Sequence, residues 1–228
     1  MEMKLTIHLS YIHLFLKGIG DIMKNEQTEK INYDRVMQDE IKTFNGEKKS
    51  VLLHTCCGPC STACIERLKD NFNVTVYFYN PNIEPKEEYL HRKEVQLKLL
   101  KELNIPYIDA DYDNEIFREK TKGLECEPEG GARCPVCFKI RMGKTAQVAR
   151  DNGFDYFCTS LTVSPHKNSA IINLIGDSIG EKEGIKFLHS DFKKREGYKR
   201  SIELSKEYDL YRQDYCGCLY AKDSGKDE

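Results

Sequence analysis

The sequence predicts an α/β protein: a Rossmann-like parallel sheet with crossover helices, in a single main domain. Three observations carry that expectation. From residue 50 onward short β-rich runs alternate with longer helical patterns, the signature of parallel strands joined by crossover helices. The 228 residues suffice for one substantial hydrophobic core and not for two of ordinary size. Punctuating residues fall where the alternation needs them. Pro59 and Pro135 suit the first turn of a helix, where a missing N–H costs nothing, and Asn104 followed by Pro106 closes the longest helical pattern.

Residues 1–48 read as an N-terminal extension with a helix over 32–44, and 49–228 as the catalytic domain. Strands are expected at 51–55, 74–79, 107–110, 156–159 and 185–188. Helices are expected at 61–70, 86–103, 116–122, 135–151, 169–180 and 198–207. In such a layer the functional loops belong at the carboxyl ends of the strands.

With 39% hydrophobic and 32% charged residues the composition is that of a soluble globular chain. A formal charge of −2 does not advertise nucleic acid, so any RNA contact has to come from a local basic surface. The apolar run 5–19 contains His8, His13 and Lys17 and ends without a small-residue cleavage site. It reads neither as an export signal nor as a membrane span, and the expected location is the cytoplasm. Ten cysteines in a reducing compartment point to metal binding or redox chemistry.

Those cysteines fall into groups. His54-Thr55-Cys56-Cys57-Gly58-Pro59-Cys60 stands where the first strand gives way to a helix, and a helix N-terminus favours thiolates. Cys64, one turn further on, reads as a small core residue. Arg133-Cys134-Pro135-Val136-Cys137 opens another helix, expected at a second strand-to-helix edge. Cys56, Cys57, Cys134 and Cys137 together offer four thiolates, which suit zinc or an iron–sulfur cluster equally by spacing. In Tyr215-Cys216-Gly217-Cys218 the one-residue spacing allows either a strained, easily reduced disulfide or a pair of metal ligands. Cys158 falls in a strand and reads as core packing, while Cys126 finds no partner.

Asp109, Asp111 and Asp113 follow a strand end and offer carboxylates for metal or proton chemistry, or for a helix cap. Residues 127–131 read as a lid or an exposed turn. The stretch 181–200 holds seven Lys or Arg against four Asp or Glu, with aromatic residues interleaved, and is the best sequence candidate for an RNA-facing patch.

Together these blocks resemble the QueH family of epoxyqueuosine reductases. The likeness rests on 52–61, Tyr79-Asn80-Pro81-Asn82-Ile83, Glu88-Tyr89, 133–137, Ser164-Pro165 and 211–218. The resemblance implies a cobalamin-independent reductase acting on epoxyqueuosine at the wobble position of tRNA, the last step of queuosine biosynthesis, with an unidentified electron donor and no membrane. It implies a 4Fe-4S cluster on Cys56, Cys57, Cys134 and Cys137, and a redox-active disulfide between Cys216 and Cys218. It also implies a second, mononuclear iron near Cys60, with Asp111 or Asp113 assisting and Asp111 the catalytic acid. Two rival readings are a cluster-dependent tRNA sulfur-transferase and a zinc-binding module without catalysis. The first would need a phosphate-binding loop after the first strand, and cysteines fill that turn.

Overall fold

The computed structural model describes residues 31–223, so the reading of 5–19 lies outside the described residues. Five strands form one all-parallel sheet in the order β3-β2-β1-β4-β5: β1 Lys49–His54, β2 Phe72–Tyr77, β3 Tyr107–Ile108, β4 Tyr156–Thr159 and β5 Lys186–Phe187. The helices are α1 Tyr33–Lys42, α2 Gly58–Leu68, α3 Lys86–Glu102, α4 Asn114–Lys120, α5 Arg133–Asp151, α6 Ser169–Glu183, α7 Gly197–Glu207 and α8 Leu219–Asp223.

The alternation along each strand divides the core. Val51, Leu53, Val74 and Val76 face a cluster with Ala63, Cys64, Ile65, Leu68 and Leu204, so α2 and α7 cover that side. Leu52, Tyr77 and Phe157 face Phe138, Met142, Ala146, Ile172 and Ile175, so α5 and α6 cover the other. This is the period-two geometry of a strand buried on both faces. Met37 and Phe44 also pack into the first cluster, so α1 lies against the main core although its residues belong to the segment read as an extension.

Element boundaries differ from expectation where pairing decides. The apolar run through Tyr79 looks like strand throughout, but the ladder with β1 runs from Lys49↔Phe72 to His54↔Tyr77 and there it stops. Helix α6 continues through Gly180 to Glu183 and ends at left-handed Gly184. The short α8 and a 3₁₀ turn at Ser160–Val163 carry no periodicity long enough to register in sequence.

Gly197 is fixed by close approach. A β-carbon there would lie 1.8 Å from the Phe192 carbonyl oxygen, and backbone cannot yield that far. Gly197→Ala is therefore expected to cost on the order of 3 kcal/mol, read as a lower urea midpoint at unchanged m-value.

No helix among the described residues is long and apolar enough to cross a membrane.

Candidate metal and redox site

The chain reverses its winding between β1 and β4, the point at which parallel sheets open a crevice at their carboxyl edge. Three groups of residues meet there. The turn from β1 into α2 brings Cys56 and Cys60 to the wall with Cys57 buried behind them, the loop after β4 brings Ser160, Leu161, Ser164, His166 and Lys167, and the C-terminal segment brings Arg212 to Cys216.

Cys57 is the extended N-cap of α2, followed by Gly58 and Pro59 in the first turn. That geometry turns three sulfurs inward. The Sγ atoms of Cys56, Cys57 and Cys60 all lie within 4.8 Å of one another. Cys56 is held well below the usual thiol range, first by hydrogen bonds from the Cys57 and Cys60 thiols and further by Arg141 and Lys167. Burial and the neighbouring Cys56 push Cys57 up to about 12, while hydrogen bonds to Cys56 and Cys57 raise Cys60. One thiolate therefore forms first, on Cys56. The Gln213 side-chain amide donates to Cys57 Sγ at 2.8 Å.

Arg141 lies beneath this group, 1% exposed. Its Nη2 donates to Asn80 Oδ1 at 2.6 Å, Nε approaches His54 Nε2 at 3.4 Å, and Nη1 reaches Cys137 Sγ at 3.9 Å. Among the described residues it has no carboxylate partner; the groups that favour its charge are the sulfurs of Cys137, Cys56 and Cys216. His54 is fully buried, and burial followed by the Arg141 charge lowers it to about 3, so it serves as a neutral bracket between Thr159 Oγ1 and the Tyr79 carbonyl. Lys167 is a second cation at the site. Burial opposes its charge, but Cys216, Cys56 and Glu129 outweigh that and raise it; its Nζ lies 3.6 Å from Glu129.

Cys134 and Cys137 open α5 as expected, but not at a strand edge, because α4 and a loop separate them from β3. They reach the crevice because α5 crosses β1 and β4 and points its N-terminus over their carboxyl ends. Cys56 and Cys60 line a cavity of about 400 Å³. Cys134 and Cys137 line a smaller neighbour of about 90 Å³, and both cavities share Glu129, His166, Lys167 and Cys216. Among the described residues the close trio is thus Cys56, Cys57 and Cys60, with Cys134 and Cys137 across the crevice.

Other expectations need correction. No disulfide joins Cys216 and Cys218: both are free thiols. Gly217 turns the chain at φ +97°, leaving Cys216 on the cavity wall while Cys218 packs against Phe117 and Cys137. Asp111 is exposed and lines neither of these two cavities, because β3 is the edge strand and its end lies two strands from the crevice. Residues 127–131 form a fastened turn, with Glu127 accepting from the Ala132 N–H at 2.9 Å and Arg133 Nη1 donating to the Leu124 and Glu125 carbonyls. The basic stretch 181–200 is mostly neutralised internally. Arg195 pairs with Asp34, Arg200 with Glu66, Lys193 with Asp191 and Lys199 with Glu196. Cys64 and Cys158 are core residues, as read from sequence.

Arg92 had no clear sequence signal, yet it is 2% exposed and fastens the C-terminal segment. Its Nε pairs with Glu88 at 2.6 Å, Nη1 and Nη2 donate to the Cys216 and Tyr215 carbonyls, and the guanidinium covers the Tyr215 ring at 4.9 Å. Arg92→Met is expected to lower stability by about 3 kcal/mol through the stranded Glu88 carboxylate. Urea unfolding would measure that loss, and limited proteolysis should cut the chain near residue 213.

The profile of a family described as "Epoxyqueuosine reductase QueH" matches residues 51–224. An epoxyqueuosine reductase QueH from Streptococcus pyogenes is 49% identical, the match covering 89% of this chain and 83% of that protein. A protein of the same name from Staphylococcus epidermidis is 43% identical over 89% of each chain, and one from Thermotoga maritima is 37% identical over 75% of this chain and 90% of its own. Among solved structures, the U34-tRNA thiolase NcsA from Methanococcus maripaludis with its [4Fe-4S] cluster superposes with a TM-score of 0.49 at 14% identity, covering 79% of this chain and 64% of that one.

Proposed function

The chain belongs to the QueH family and is an epoxyqueuosine reductase; from that premise we propose how its own residues carry the reaction. Opening the epoxide to an alkene breaks both C–O bonds, forms one C=C bond and consumes two electrons and two protons, releasing the oxygen as water. An external one-electron reductant supplies the electrons, and no cobalamin takes part. The substrate is epoxyqueuosine in the tRNA anticodon, which puts the enzyme in the cytoplasm.

The observation that carries this reading is the convergent thiol trio beside a half-buried cation, Lys167, and a buried one, Arg141, that has no carboxylate partner among the described residues. A buried guanidinium left among neutral thiols would be costly. The donor set therefore fits an anionic, thiolate-held group. In our proposal Cys56 and Cys57 from one wall and Cys134 and Cys137 from the other hold a 4Fe-4S cluster, and Cys60 is the ligand available to a second iron. The bound group would supply electrons one at a time. Arg141 offsets the thiolate charge from beneath. Lys167, which lines both cavities, donates its proton to the departing oxygen. The Arg92 clamp holds Tyr215 and Cys216 at the cavity wall.

The test is mass analysis of nucleosides from epoxyqueuosine-containing tRNA after incubation with anaerobically purified protein and a chemical reductant, without cobalamin. The modified base should lose the mass of one oxygen, and the protein should carry iron. Unchanged nucleoside from iron-loaded protein would refute the assignment, and zinc in place of iron would refute the redox site.

A further inference from the structure

Tyr198 and Arg212 have no role in the chemistry above, yet both line the cavity of about 400 Å³ that Cys56, Cys60 and Cys216 also line. Tyr198 is placed rigidly. It follows Gly197, whose contact with the Phe192 carbonyl admits no side chain, and it sits in the first turn of α7. The Arg212 guanidinium carbon stands 5.4 Å from the centre of its ring, and Nη1 is tethered to Ser205 Oγ at 3.3 Å. Tyr198 is 37% exposed. Arg212 enters no ion pair among the described residues, whereas Arg195 and Arg200, which the sequence favoured for RNA, are held by Asp34 and Glu66. A planar cation over the ring of an exposed tyrosine, in no ion pair among the described residues and set in the wall of the reaction cavity, matches what single-stranded RNA loops bind. Their splayed bases stack on aromatic rings and guanidinium planes.

We propose that Tyr198 and Arg212 form a stacking clamp that holds a nucleobase of the anticodon loop at the cavity wall, next to the base being reduced. This rests on the epoxyqueuosine reductase reading and adds where the loop is gripped. The clamp uses ring and guanidinium planes, so shape matters more than net charge. Tyr198 belongs to the stretch 181–200, but the paired basic side chains of that stretch contribute little.

The test measures binding of the iron-loaded enzyme to an anticodon stem-loop RNA, with iron content and unfolding midpoint recorded for every variant. Tyr198→Ala and Tyr198→Leu should each weaken binding about 10-fold, and Tyr198→Phe should stay within about twofold, because the ring and not the hydroxyl is used. Arg212→Lys should weaken binding nearly as much as Arg212→Ala while keeping the wild-type salt slope, since it preserves charge and loses the plane. The triple variant Lys194→Ala, Arg195→Ala, Arg200→Ala should bind almost normally. Wild-type affinity in Tyr198→Leu, or equal losses in Tyr198→Phe and Tyr198→Ala, would overturn the clamp. Failure of the wild-type enzyme to reduce the base, with stem-loop binding still dependent on Tyr198, would overturn the reaction assignment and leave the clamp standing.

Discussion

Replacing Cys57 by Ala is expected to strip most of the iron and the visible absorption from anaerobically purified protein, and to lower turnover by at least about a hundredfold. Outer-shell partners of metal sites already cost about 10–100-fold when changed, and Cys57 is placed as a direct ligand. It is buried at the N-cap of α2, its sulfur 3.8 Å from that of Cys56. Cys134→Ala should behave alike, because the proposed ligand set spans both walls of the crevice. Cys60→Ala should differ: it should lose about one iron in five and keep the cluster absorption. Full iron and unchanged spectra in Cys57→Ala and Cys134→Ala would remove both from the ligand set.

The second large effect is expected at Arg141. Its guanidinium is the fixed positive charge beneath the thiols, shared between Cys137 and the His54–Asn80 bracket. Met fills a similar volume without charge, so Arg141→Met leaves the thiolate set uncompensated in a buried site. Iron retention should fall, the protein-bound reduction potential should move to more negative values, and turnover should drop about 10–100-fold. Arg141→Lys should recover part of the potential shift, since it restores charge without the planar fork that reaches Asn80, His54 and Cys137. A potential and turnover unchanged in Arg141→Met would assign the residue to packing alone.

The alternation of strand and helix patterns was legible in sequence because burial on both faces of a parallel sheet forces continuous apolar strands, such as Val51 to Leu53, between amphipathic helices. Pro59, Pro135 and Asn104 marked helix ends by backbone chemistry that tertiary context did not override. Grouping the first cysteines was equally local, because Cys56, Cys57 and Cys60 lie within one turn of chain. What escaped depends on distance in sequence. Arg141 stands four residues after Cys137 and looks like an ordinary charged helix position until Asn80 arrives from β2's end to receive it. Lys167 and Arg92 carry no motif of their own, and each is defined by a partner segment folded back from far along the chain. Asp111 stands outside both cavities for a related reason. Following a strand is not enough, since only strands flanking the winding reversal deliver their loops to the crevice. The basic run 181–200 looks freer in composition than in the fold, because composition cannot show that Asp34 and Glu66, more than a hundred residues earlier, already pair with Arg195 and Arg200.

The most direct measurement counts electrons against product. Protein reduced anaerobically and freed of excess reductant is mixed with epoxyqueuosine-containing tRNA, the electrons withdrawn from the protein are read from its visible absorbance, and the modified base is quantified by mass. The proposed reaction requires two electrons withdrawn for each epoxide converted to an alkene, with no withdrawal when the tRNA already carries the reduced base. Product formed while the protein remains fully reduced, or electrons withdrawn without any loss of oxygen from the base, would contradict it.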